Sequence, residues 1–149
     1  MEFEGLDEKA FEALAARLAC GLEPGDVVVL AGEVGAGKTT FVRAAARSLG
    51  VEGRVTSPTY QIARGYEGER NGRPVTVNHL DLYRLEELED RDALEIDDYL
   101  DPDAITFVEW ADPALGVIEN PTFVRISHQT PNTRCVSVAG PTAERLRGC

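Results

Sequence analysis

Eight consecutive residues constrain this chain more than any others: Gly32-Glu33-Val34-Gly35-Ala36-Gly37-Lys38-Thr39. They satisfy the pattern GxxxxGK[ST] at each fixed position. Their setting is as informative as their identity. Val27-Val28-Val29-Leu30-Ala31 precedes them, a β-branched apolar run suited to a strand covered on both faces. A helix follows, from about Lys38 to Leu49, and stops at Gly50. A strand that turns through glycines into a helix N-terminus aims several backbone N–H groups at one point, and the helix end adds partial positive charge. That arrangement suits phosphate. In it Lys38 reaches the β- and γ-phosphates of a nucleotide and the Thr39 hydroxyl ligates Mg²⁺. The plain alternative is a glycine-rich turn with no ligand. Lysine usage weakly opposes it, because Lys9 and Lys38 are the only lysines and one of them falls on the motif.

The remaining elements fall around this unit. Phe11, Leu14, Ala15 and Leu18 follow the i, i+3, i+4, i+7 spacing of an amphipathic helix over Asp7 to Cys20, with Asp7 as its cap and Gly21 at its end. Thr59 to Glu69 and Pro74 to Leu80 read as strands joined at Asn71-Gly72, a hairpin turn signal. Leu85 to Leu100 is helical by composition, Ala104 to Val108 is a second buried strand, and Thr122 to Ser127 with Arg134 to Ala139 form a closing strand pair. The order predicts an α/β fold: a P-loop NTPase-like mixed β-sheet flanked by helices. Its 149 residues predict one domain over 1–149, with 141–149 as a C-terminal tail.

Charge and cysteine usage narrow the function classes. The formal net charge is −11, and the stretch from Asp81 to Asp112 holds thirteen acids against two bases. The rest of the chain is neutral, so no basic face is expected and strong direct binding to nucleic acid is not. The longest apolar run, Val27 to Ala31, is far short of a membrane span, and Met1-Glu2-Phe3-Glu4 is acidic where a signal peptide is basic. Cys20, Cys135 and Cys149 show neither zinc-ligand nor CxxC spacing, which predicts three free thiols in a reducing cytoplasm.

A metal site beside Thr39 calls for a carboxylate. Two apolar strands end in one: Val75 to Leu80 runs into Asp81, and Ile105 to Val108 runs into Glu109. Each resembles a Walker B pattern, and periodicity does not choose between them. The chain has no NKxD element to read guanine and no LSGGQ-type signature of a transporter ATPase. Three readings stay open on the residues alone: an ATPase acting on a partner protein, a small-molecule kinase, and a nucleotide-responsive binding module.

Four segments together are similar to the TsaE (YjeE) family. They are Gly32 to Arg43, Ser57-Pro58-Thr59-Tyr60, His79-Leu80-Asp81-Leu82-Tyr83-Arg84 and Val108-Glu109-Trp110, in the family's order, and the likeness covers about residues 5–140. The chain departs from it at Glu33, where the family loop often has Asp, at Leu6-Asp7-Glu8-Lys9, where a threonine is frequent, and in Ala93 to Leu100, which lacks a glycine. The resemblance implies a bacterial ATPase supporting N6-threonylcarbamoyladenosine formation in tRNA, with the proteins TsaD and TsaB as partners and ATP and Mg²⁺ as cofactors.

Carried onto this sequence, the resemblance implies a nucleotide-binding set of Val34, Gly35, Ala36, Gly37, Lys38, Thr39 and Thr40, with Trp110 and Arg134 beside the nucleotide. Lys38, Thr59, Asp81 and Glu109 form the catalytic set, and Thr39 and Glu109 the metal ligands. Asp81 lies near the metal through water, and Ser57-Pro58-Thr59 acts as a switch loop. Taken singly, Trp110 reads as a packing residue and His79 as a hydrogen-bonded structural histidine; only their joint order gives them more.

Overall fold

Alternation along the strands decides which side chains meet the helices. The computed structural model describes residues 1–33, 35–53, 55, 63–82, 100–110 and 118–146. In chain order the elements are β1 (Glu2–Leu6), α1 (Glu8–Cys20), β2 (Val27–Ala31), α2 (Lys38–Ser48), β3 (Ala63–Arg70), β4 (Arg73–Asp81), β5 (Ala104–Glu109), β6 (Thr122–Thr130), β7 (Thr133–Ala139) and α3 (Pro141–Arg145). The seven strands form one mixed sheet in the order β1-β7-β6-β2-β5-β4-β3. β2 lies at its centre, parallel to β5 and β6, and β4 runs parallel to β5. Antiparallel pairs flank this parallel middle on both sides.

Val28 and Leu30 of β2, Val75 and Val77 of β4, and Ile105 and Phe107 of β5 face α1 and α2 in the larger core. There the Phe11 and Phe41 rings meet edge to face with centroids 5.5 Å apart. Val29, Leu80 and Val108 point the other way, into a smaller cluster with Ala63, Leu82 and Ile118. By the same period of two, His79, Asp81 and Glu109 belong to the face that carries α2. The single-domain α/β fold with a mixed sheet therefore matches the expectation.

Local signals match closely. Asp7 accepts from the Ala10 N–H at 2.8 Å and caps α1. Asn71 and Gly72 both take positive φ, 54° and 78°, as a tight hairpin between β3 and β4 requires. β2 and β5 lie where the apolar runs place them.

Three findings correct the sequence reading. β1 was not expected; it pairs antiparallel with β7 and packs Phe3 and Leu6 on the core, and their spacing of three, accommodated by a register shift between them, breaks the alternation by which a strand is read from sequence. Residues 141–145 are a helix rather than the start of a tail. Leu146 is fully buried, Thr142 Oγ1 bonds Thr122 Oγ1 at 2.8 Å, and Arg145 pairs with Asp26 at 2.5 Å. Those contacts are long-range, so nothing in the local sequence announced them. Cys20 is disulfide-bonded rather than free, while Cys135 is a free, half-buried thiol. Cysteine spacing along the chain does not report which thiol is oxidised. Val34, the Ser57-Pro58-Thr59 segment and the helix expected over 85–100, save its last residue, lie outside the described residues. Among the described residues no helix is long and apolar enough to cross a membrane.

Candidate functional site

The glycines of the loop have separate reasons to be glycines. At Gly32, just past β2, a Cβ would sit 2.5 Å from the Ile126 carbonyl of the neighbouring strand. Gly35 and Gly37 take φ of 83° and 109°, a region that side chains disfavour. Gly37 is also the N-cap of α2, with left-handed backbone and no side-chain cap. The first turn of α2 contains no acid. A helix start of this kind directs its leading N–H groups and its dipole field toward the loop, where both favour an anion.

Lys38 folds back over this loop. Its Nζ donates to the Gly32 carbonyl at 2.5 Å and lies 3.5 Å from that of Glu33. The residue is only 6% exposed. The same Nζ stands 4.2 Å from the centroid of the Trp110 ring, a cation–π contact. Trp110 reaches that position through a left-handed backbone, φ 55°, immediately after β5. Non-glycine residues rarely adopt this conformation, and the turn sends the indole across the mouth of the loop.

The acids come from two adjacent parallel strands. Asp81 and Glu109 face each other in register at the carboxyl ends of β4 and β5. Glu109 is 3% exposed, and the Thr39 hydroxyl donates to its Oε2 at 3.5 Å. The His79 Nε2 lies 2.5 Å from that same oxygen. A cleft of about 370 Å³ is lined by Gly35, Gly37, Lys38, Thr39, Thr40, Asp81, Glu109, Trp110 and Arg134. Arg134 enters it from β7, its guanidinium 5.1 Å from the centroid of the Phe11 ring and its Nε without a hydrogen-bond partner among the described residues.

Nearly all the described members of the expected site thus come together in one cleft. Ala36 does not line it: its side chain is buried and its N–H donates to the Glu33 carbonyl at 3.0 Å, which closes the loop. Val34 and Thr59 lie outside the described residues. Sequence reading gave His79 no site role of its own, yet it is the shortest polar contact of Glu109. The signal was present as spacing, since His79 stands two residues before Asp81 and must share its face.

A hydroxyl and two carboxylates are hard oxygen donors, the set that suits Mg²⁺ rather than a thiophilic metal. Among the described residues no group of three or more His, Cys, Asp and Glu is arranged to hold a metal unaided. Mg²⁺ in nucleotide sites is usually held by one or two protein groups together with phosphate oxygens, and the Thr39–Glu109 pair fits that pattern.

The model of the threonylcarbamoyl adenosine biosynthesis protein TsaE family matches residues 6–136. A Streptomyces coelicolor protein named tRNA threonylcarbamoyladenosine biosynthesis protein TsaE is 40% identical over 135 residues, covering 90% of this chain and 84% of that one. Its Mycobacterium tuberculosis namesake is 43% identical over 105 residues, covering 66% of this chain and 61% of the relative. A Bacillus subtilis namesake is 34% identical, covering 74% of this chain and 66% of its own. The crystal structure of Bacillus subtilis YdiB superposes with a TM-score of 0.79 at 25% identity, over 99% of this chain and 94% of that one.

Proposed function

The chain belongs to the TsaE family, whose role lies in tRNA threonylcarbamoyladenosine biosynthesis, and on that premise we propose that it binds ATP with Mg²⁺ and hydrolyses it in support of that modification. The observation that carries the reading is the meeting of Lys38, Thr39 and Glu109 at the carboxyl end of the parallel strands, where open α/β sheets place their ligands. The Lys38 ammonium exchanges the Gly32 and Glu33 carbonyls for phosphate oxygens, which are stronger acceptors because they are charged. Gly35, Gly37 and the first turn of α2 supply N–H donors along the phosphate chain. Thr39 and Glu109 hold the metal, which when bound offsets negative charge that grows on the phosphates. Asp81, beside Glu109, orients the attacking water or the switch segment that contains Thr59. Trp110 and Arg134 close the two sides of the cleft against the nucleotide.

The cleft provides for nucleotide chemistry, so the partners supply the transferase chemistry: TsaD and TsaB, in the cytoplasm. In this reading the partners are held by the acidic side chains of the stretch between Asp81 and Asp112, the buried Glu109 excepted. The test is calorimetric titration with ATP and ADP, with and without Mg²⁺, followed by turnover measured alone and with TsaD and TsaB at low and high salt. We expect Mg²⁺-dependent binding, slow turnover alone, and stimulation that fades with salt as the Debye length drops below about 10 Å. Absence of nucleotide binding overturns the reading. Full turnover by the isolated chain overturns the dependence on partners. Tight binding without turnover in any mixture marks a nucleotide-responsive binding module, and ADP release that requires a small-molecule acceptor marks a kinase.

A further inference from the structure

His79 is fully buried near the carboxyl end of β4, paired in register with Phe107 of β5. Val77 and Phe107, on the same face of the sheet, are apolar and equally buried. An apolar side chain there would avoid the cost of desolvating an imidazole. The ring recovers that cost at one nitrogen only. Nε2 lies 2.5 Å from Glu109 Oε2, whereas Nδ1 is buried with no hydrogen-bond partner among the described residues. A donor facing a carboxylate oxygen and a bare lone pair on the other nitrogen is the cheapest way to satisfy that pattern, so Nε2 carries the proton.

The Thr39 hydroxyl and the His79 ring both meet Glu109 Oε2, at different lengths. The Thr39 hydroxyl stands at 3.5 Å, the limit of a hydrogen bond, and the His79 ring at 2.5 Å. The ring is rigid and enclosed; the threonine stands at the open cleft wall. The imidazole therefore sets the direction of the carboxylate. A glutamate side chain has several rotatable bonds whose ordering opposes binding, and fixing them in advance removes that opposition.

We propose that His79 is a positioning residue: its Nε2–H holds the Glu109 carboxylate toward Thr39, so that the pair is set for a divalent cation before nucleotide arrives. This rests on the Mg²⁺–nucleotide reading above. It differs from a packing role in depending on which ring nitrogen donates.

Two substitutions separate those roles. The amide nitrogen of Gln lies as many bonds from Cα as Nε2 does, and that of Asn as many as Nδ1. His79→Gln therefore keeps the donor to Glu109, and His79→Asn withdraws it, with similar polarity. The Mg²⁺ needed for half-maximal ADP binding is measured by calorimetry for both variants and the wild type. His79→Asn is expected to raise it about 10–100-fold, the usual effect of losing a group that orients a metal ligand. His79→Gln is expected to restore most of that loss, and metal-free nucleotide binding to stay alike in all three. Equal Mg²⁺ requirements in the folded proteins, or equal losses in both variants, overturn the proposal. Failure of His79→Gln to fold overturns it too, because that variant keeps the donor and lacks only the ring.

Long-range proton–nitrogen correlation spectra of the ligand-free protein give a readout that needs no nucleotide. The Nε2–H tautomer is expected for His79, and an Nδ1–H tautomer overturns the proposal. A wild type that binds no Mg²⁺–nucleotide defeats the reading beneath it. A wild type that binds it, with His79→Asn unaffected, defeats the positioning role alone.

Discussion

At the carboxyl end of β2, three polar side chains are buried and each has a polar partner: Lys38 the loop carbonyls, and His79 and Glu109 each other. At the amino end the polar work falls to two arginines that are partly open to solvent. Arg145 donates to the Gly21 carbonyl at 2.8 Å and to Asp26 at 2.5 Å, and Arg70 donates to the carbonyls of Leu22 and Cys20 at 2.7 and 2.6 Å. Both ends therefore satisfy strand-end polarity with side chains. The amino end directs them at backbone carbonyls and at Asp26, which fastens the turn before β2 to α3 and β3. The carboxyl end spends them on groups that a nucleotide would contact. Substitutions at one end are expected to change stability, and at the other ligand binding, which gives the comparison its tests.

Lys38→Ala should have the largest effect. On the proposed reading its charge-assisted hydrogen bonds to phosphate would be lost, so nucleotide binding should weaken by about 100-fold or more and turnover should vanish. Alanine is a good helix former, so thermal unfolding should change little. A folded Lys38→Ala chain with wild-type binding would remove the cleft as the nucleotide site and dissolve the contrast between the two ends.

The two acids come next. Glu109→Gln replaces a hard anionic ligand with an amide and should raise the Mg²⁺ requirement for nucleotide binding about tenfold. Asp81→Asn should lower turnover with little change in that requirement. The opposite pattern, read in the same magnesium titrations, exchanges their roles.

Gly32→Ala tests where stability and site meet. Its Cβ would lie 2.5 Å from the Ile126 carbonyl, at a φ of 154°. The clash should cost about 2 kcal/mol or more and also displace the loop, lowering both the unfolding temperature and nucleotide affinity. Loss of affinity alone would show that the loop shifts without straining β6.

Arg145→Met should be the smallest and the cleanest. The pair with Asp26 is partly solvent-exposed, so its loss together with the bond to Gly21 should cost about 1 kcal/mol, or about 2–4 °C in unfolding temperature. Nucleotide titrations should match wild type. A shift in affinity would mean that the amino end of β2 is coupled to the cleft.

The sequence by itself determined the units whose signal is local. The β-branched run, the glycine loop and α2 follow from residues adjacent in the chain. So do the Asp7 cap and the Asn71-Gly72 turn, because backbone conformation there depends on the residues that occupy it. Periodicity also placed two acids at strand ends without ranking them, and only the family resemblance assigned the metal to Glu109. Tertiary structure supplied the partners. Strand pairing put Asp81 opposite Glu109, parity put both on the face of α2, and contact with Thr39 and His79 singled out Glu109. It likewise brought Arg134 from β7 into the cleft, docked α3, and gave β1 a neighbour to pair with. Periodicity states which way a side chain points, but the strand or helix it meets is chosen by packing across the whole sheet.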